Sequence, residues 1–255
     1  HMHSLYSDDG EFTPGQLVEM CHEAGVKIMA IADHNWVKAI DEAKKKAEEL
    51  KIKYIPAIEI GFPASSEMDF LACQNLANRA NENTRVSVLA RANKNDIDKA
   101  LLAIKDAKCA RLHTFITMSP FHMENVLNKS AEEVSKIAIE AVKYAKSEID
   151  KLNKNFDIEF SVEHFGDCES NIDFVIETLK QITAAGATTI NLPNTVERYR
   201  PSRFINLVKK VKENLGDDII ISVHNHNDLG MATATTVESF FAGAKQLECC
   251  LNGLG

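Results

Sequence analysis

Residues 171–195, NIDFVIETLKQITAAGATTINLPNT, contain one complete step of the fold. Ile172, Val175, Ile176, Leu179 and Ile182 recur three or four residues apart, the spacing of one apolar face on an amphipathic helix. Thr188–Leu192 follows as a short β-rich run that ends in the polar residues Asn194 and Thr195. The same alternation continues in both directions. β-rich runs stand at Lys27–Ala32, Tyr54–Ile60, Val86–Ala90, Arg111–Thr117, Asp157–Val162, Thr188–Leu192, Ile219–Val223 and Gln246–Leu251. Eight strands alternating with helices in 255 residues predict an α/β chain folded as a parallel (β/α)8 TIM-type barrel. His1–Ser4 would be an extra strand stub ahead of it. A doubly wound sheet is the runner-up, but no Gly-x-Gly-x-x-Gly loop follows an early strand.

Helix starts are legible too. Thr13-Pro14 with Gln16 predicts a capping box with proline in the first turn, and Ser130 with Glu133 predicts another. Asn95-Asp96 would supply a cap and a carboxylate at a positive helix end. The 45% hydrophobic and 26% charged composition excludes a disordered chain. No apolar run reaches the roughly 18 residues of a membrane span, so no membrane partner is expected. The net charge of −8 is spread without a basic block, which argues against nucleic acid. Six scattered cysteines without a Cys-x-x-Cys pair read as reduced thiols. With no signal peptide in view, the expected location is the cytoplasm.

In a barrel the chemistry gathers at the carboxyl ends of the strands. The polar residues there are Asp33-His34, Glu59, Arg91, His113, Glu163, Thr195, His224 and His226. His224 and His226 are one residue apart on a strand, so their imidazoles share a face and can bind one divalent metal. Asn227-Asp228 would orient them. His1 and His3 repeat that spacing at the start of the chain, followed by Asp8, His34 and Glu59. Imidazoles with carboxylates suit Zn, Mn or Fe.

The opening HMHSLYSDDG, with Asp33-His34 and Glu59, resembles the PHP (polymerase and histidinol phosphatase) superfamily of metal-dependent phosphoesterases. That resemblance covers residues 1–60 as a β-α-β-α-β segment and implies His1, His3, Asp8, His34 and Glu59 as ligands. From Glu59 onward the motifs IEIGFPASS, RLHTFITMSPFHM, EFSVEHFG, AGATTINLPNTVE, VHNHNDLGMA and LECCLNGLG stand in order. They resemble 2-isopropylmalate synthase and its relatives homocitrate and citramalate synthase, which are metal-dependent TIM barrels. This resemblance covers residues 59–255.

The synthase resemblance implies a Claisen condensation of acetyl-CoA with a 2-keto acid, assisted by a divalent metal (Mn, Mg or Zn) in leucine biosynthesis. His224 and His226 would be metal ligands, and Thr195 would hold the keto-acid carboxylate. Glu163 would act in acid/base chemistry or orientation, with His113 and Arg91 at the mouth as catalytic and substrate-binding residues. The motifs GFPASS and HTFITMSP favour 2-ketoisovalerate, and a homodimer is left open. Two departures from the family are expected to impair turnover. The opening strand ending Arg-Asp-Gly-Glu is absent, and the Asn ligand beyond the Gly-x-Gly-Glu-Arg loop would lie past Gly255.

The two resemblances meet at Ile58-Glu59-Ile60, so the chain reads as a chimera forming one continuous barrel. If that barrel closes on eight strands from Lys27, Asp33 stands in the place of the synthase's metal-binding Asp. Asp33 or His34 would then approach His224 and His226, with the Asp33 carboxylate as a third ligand. A phosphoesterase is the alternative activity, and a folded fragment without catalysis is the third.

Overall fold

The computed structural model describes residues 12–23, 28–29, 39–51, 53–54, 57–80, 82, 84–154 and 156–249. His1, His3, Asp8, Asp33 and His34, together with the His1–Ser4 stub, lie outside the described residues. The chain divides into two compact units: residues 1–58, 80–85 and 249–255 form one, and residues 59–79 and 86–248 form the other.

In the first unit, helix α1 (Pro14–Glu23) starts at the expected capping box. The Thr13 amide donates to Gln16 Oε1 at 2.9 Å, and the Gln16 amide donates to Thr13 Oγ1 at 3.2 Å. Strands β1 (Ile28–Met29) and β2 (Lys53–Tyr54) pair in parallel on either side of helix α2 (Ala39–Glu49). Leu17, Val18 and Cys21 of α1 and Ala43 and Ala47 of α2 are buried.

A parallel sheet in the order β3-β4-β5-β6-β7-β8-β9 lies, in all but its first few residues, in the second unit. Its strands are β3 (Ala57–Glu59), β4 (Arg85–Arg91), β5 (Ala110–Thr117), β6 (Asp157–Glu163), β7 (Thr189–Asn194), β8 (Ile220–Asn225) and β9 (Gln246–Glu248). Between them run α3 (Glu67–Arg79), α4 (Lys94–Ile104), the single turn α5 (Pro120–His122), α6 (Ala131–Leu152), α7 (Ile172–Ala184), α8 (Pro201–Leu215) and α9 (Ala232–Phe241). Helices α4, α6, α7 and α8 each bury the apolar face that their spacing predicts. In α7 that face is Ile172, Val175, Ile176, Leu179 and Ile182, all buried. Ser130 closes the capping box of α6 with Glu133 as expected. The cap of α4 is corrected to Asn93, whose side chain accepts from the Asp96 amide, so Asn95 lies inside the helix.

Curling of this sheet follows from contacts across it. Strands four places apart in a flat sheet are separated by about 19 Å at the usual strand spacing. Yet Arg111 of β5 donates to Gln246 Oε1 of β9 at 2.7 Å. The inward faces of β5, β6, β7 and β9 therefore meet around one interior, as in a TIM-type barrel wall.

Two strand expectations need correction. The run Tyr54–Ile60 is two strands, β2 and β3, in different sheets. Pro56 lies between them in sequence and has no N–H to donate to a ladder. The run Lys27–Ala32 contributes Ile28–Met29 to the two-stranded sheet, so the long sheet has seven strands among the described residues.

Candidate active site

Strand β8 ends in His224 and Asn225 with His226 directly after it, and continued alternation puts the two imidazoles on one face. Their ring centroids are 5.2 Å apart with the planes inclined at 46°. A tetrahedral metal bonded to two imidazole nitrogens at about 2.1 Å holds the ring centroids ~5 Å apart. The spacing and the donor chemistry therefore fit a shared divalent cation. Among the described residues no group of three His, Cys, Asp or Glu side chains is placed to hold a metal.

His224 is held by Glu248 on β9, whose Oε2 lies 3.1 Å from Nδ1. With Nδ1 donating to this carboxylate, Nε2 is left free and could bind a metal. The bond also raises the His224 pKa, against the effect of burial. Glu248 is the orienting carboxylate, and the expected role of Asn227-Asp228 is corrected. Asn227 Oδ1 accepts from the Ala232 amide, and Asp228 Oδ2 accepts from the Glu197 amide. Both shape the loop behind His226.

A second cluster stands at the ends of β6 and β7. Thr195 Oγ1 donates to Glu163 Oε1 at 3.1 Å and accepts from the His164 amide at 3.0 Å. The Thr195 hydroxyl thus aims the Glu163 carboxylate. His164 sits in the left-handed region at φ 58, a strained conformation for a residue with a Cβ. Its ring stacks on His122 with centroids 3.6 Å apart. Burial, and then the neighbouring His122, lower its pKa.

His113, expected to line the mouth, is buried, with Nδ1 2.6 Å from Glu59 Oε2 and Nε2 2.6 Å from Ser161 Oγ. Burial disfavours its charge, but the bond to Glu59 and the charges of Glu159, Glu59 and Glu248 override this. The pKa is pushed up to about 9. Both ring nitrogens are engaged, one by a carboxylate and one by a hydroxyl, and the raised pKa favours the charged ring. Glu59, from the phosphoesterase set, is thereby tied into the long sheet. Arg91 is exposed at the end of β4, where Asp96 binds it at 2.6 and 3.1 Å and it covers the Phe62 ring at 5.6 Å.

Beneath these residues the interior is polar, and the sequence reading missed it. Arg111 binds Asp157 through two nitrogens at 2.8 and 3.0 Å and Glu159 at 2.5 Å, and it reaches Thr189 Oγ1 at 3.0 Å. Gln246 Nε2 donates to Glu159 Oε1 at 2.9 Å and to Ser222 Oγ at 3.0 Å, and Ser222 donates to Glu248. A continuous polar chain therefore runs from Arg111 to His224. The alternation of Arg111 with His113 and of Gln246 with Glu248 was its signal in the sequence.

The HMGL-like family matches residues 32–255. The match starts upstream of Glu59, where the sequence placed a change of family. "2-isopropylmalate synthase 2" of Leptospira interrogans is 46% identical over 201 residues, covering 79% of this chain and 46% of that protein. The 2-isopropylmalate synthase of Campylobacter fetus is 45% identical over 215 residues, covering 84% of this chain and 41% of that protein. The chain thus spans less than half the length of these two relatives. Hydroxymethylglutaryl-CoA lyase from Pseudomonas aeruginosa is similar in fold, with a TM-score of 0.56 at 14% identity over 80% of this chain and 65% of that one. The carboxyl transferase domain of Rhizobium etli pyruvate carboxylase gives a TM-score of 0.53 at 15% identity over 77% of this chain and 33% of that one. Among the described residues no helix is long and apolar enough to cross a membrane.

Proposed function

Because the chain belongs to the HMGL-like family, we propose that it carries the catalytic sheet of a 2-isopropylmalate synthase-type acyltransferase. The reaction would condense acetyl-CoA with a 2-keto acid, here 2-ketoisovalerate, in leucine biosynthesis. The observation that carries this reading is the His224–His226 pair, with His224 held by Glu248 beside the Glu163–Thr195 cluster. His224 and His226 would hold a divalent ion, Mn, Mg or Zn. When bound, that ion would act as a Lewis acid that polarises a keto carbonyl.

The protein's own groups supply the rest. Thr195 keeps Glu163 turned toward one position, as a group moving a proton between acetyl methyl and solvent must be. The left-handed turn at His164 presents its amide to Thr195 and so fixes this pair. Arg91, exposed and aligned by Asp96, offers a cation to an anionic substrate at the rim. His113 contributes a positive charge from within, which favours electron density building up above it. A cytoplasmic location and a homodimer accompany this assignment. For a phosphoesterase, Glu59 is the one ligand among the described residues, and it is occupied by His113.

The test is calorimetric titration of 2-ketoisovalerate with and without Mn, alongside thiol release from acetyl-CoA. Keto-acid binding that needs the metal and is lost in His224→Ala and His226→Ala supports the assignment. Binding indifferent to the metal, or phosphoester hydrolysis in place of thiol release, overturns it.

A further inference from the structure

Glu197 is a carboxylic acid buried to 2% exposure in the turn after β7. Its Oε2 accepts from the Leu229 amide at 2.6 Å and from the Met231 amide at 3.4 Å. Its own amide donates to Asp228 Oδ2 at 2.8 Å. Two carboxylates thus bind reciprocally across the turns that follow β7 and β8. The clamped segment begins directly after His226. Gly230, at φ 73, turns the chain so that these amides converge on one oxygen.

Burying a carboxyl group is costly unless hydrogen bonds replace its water. Glu197 Oε1 is buried with no partner among the described residues, so the amide bonds to Oε2 carry the compensation. The strand below adds little restraint. The His226 amide reaches Asn194 O at 3.4 Å, at the long end of hydrogen bonding. Asn225 is fixed separately, donating to Thr236 Oγ1 at 2.9 Å. His224 has Glu248, whereas among the described residues the His226 imidazole has no hydrogen-bond partner and follows the course of its backbone.

We infer that Glu197, clamped reciprocally with Asp228, is a positioning residue that fixes the loop behind His226 and so holds that imidazole in register with His224. The inference rests on the proposed role of the two histidines as ligands. Outer groups that set ligand geometry typically alter metal affinity by about 10–100-fold when removed. Gln at this position keeps a carbonyl oxygen for the Leu229 and Met231 amides, whereas Ala removes it.

The experiment compares wild type, Glu197→Ala, Glu197→Gln and Asp228→Ala in two measurements. The first, without metal, follows His226 ring signals by NMR and amide exchange at Leu229 and Met231. The second is titration with Co²⁺ alone, read from its visible absorption, with His224→Ala locating the ion. In Glu197→Ala and Asp228→Ala, the ring signals should broaden into several states, exchange should quicken and Co²⁺ affinity should fall by ~10–100-fold. Glu197→Gln should behave like wild type. An ordered His226 ring in both alanine variants overturns the inference, as does a Glu197→Gln as perturbed as Glu197→Ala. If the ring responds as expected but wild type takes up no Co²⁺, the clamp stands and the ligand assignment of His224 and His226 falls. Should Glu197→Ala fail to fold, Asp228→Ala tests the same clamp from its other side.

Discussion

Replacing Arg111 with Met tests whether the polar interior is held by charge. Arg111 is only 2% exposed and Glu159 only 3% exposed. Burial pushes the Glu159 carboxyl up, but the charges of His113 and Arg111 overcome it and hold the group below its ordinary range. Met fills most of the volume but leaves Asp157 and Glu159 without their guanidinium. Breaking a buried pair from one side costs about 3–5 kcal/mol, because a charge is stranded in low dielectric. At about 2–4 °C per kcal/mol for a domain of this size, Arg111→Met should melt on the order of 10 °C below wild type. Adding Glu159→Gln removes the more deeply buried of the two charges, so the double variant should recover a coupling of about 0.5–3 kcal/mol. The sign with pH is fixed as well. Glu159 has a depressed folded pKa, so its stabilisation is present above the unfolded value of ~4.3 and is lost as pH falls through the folded one. The gap between wild type and Arg111→Met should therefore close below about pH 4. Urea unfolding followed by far-UV circular dichroism across pH 3–8 measures both effects. A loss under ~1 kcal/mol, or a double variant that loses the sum of both singles, would refute a charge-held interior.

Glu248→Gln should weaken Co²⁺ or Mn²⁺ binding by about 10–100-fold while leaving the fold intact, which calorimetry with circular dichroism would check. Gly166→Ala should destabilise by ~1–3 kcal/mol, since a Cβ there collides with the Asn194 side chain, and denaturant titration reads this directly. Asp96→Ala removes the carboxylate that burial raises but Arg91 and Asn93 lower further. Its melting point should drop a few degrees at neutral pH, with the difference from wild type vanishing as pH falls through the folded Asp96 value; calorimetric scans at pH 7 and pH 3 would show it.

Periodicity settled the parts of this protein that depend on near neighbours. The spacing of Ile172, Val175, Ile176, Leu179 and Ile182 made α7 legible, because a helix face repeats every three or four residues. Thr13 with Gln16 and Ser130 with Glu133 were legible for the same reason, as each cap closes within three residues. The shared face of His224 and His226 follows from strand alternation alone. The cap of α4 was misplaced by two residues, because Asn93 and Asn95 are equally good caps until the backbone chooses one. Folding alone decided which charges meet. Arg111 and Gln246 are separated by 135 residues, and Glu197 and Leu229 by 32, and no local spacing encodes either contact. Burial then fixed their meaning. His113, a residue of the mouth on sequence grounds, is buried because curling of the sheet places Glu59 and Ser161 on its two nitrogens. Strand pairing likewise separated β2 from β3, because which strand a segment pairs with is set by distant residues and not by its own composition. Chemistry carried by one strand end could be read from the sequence, whereas chemistry shared between strands existed only after the sheet had curled and excluded water.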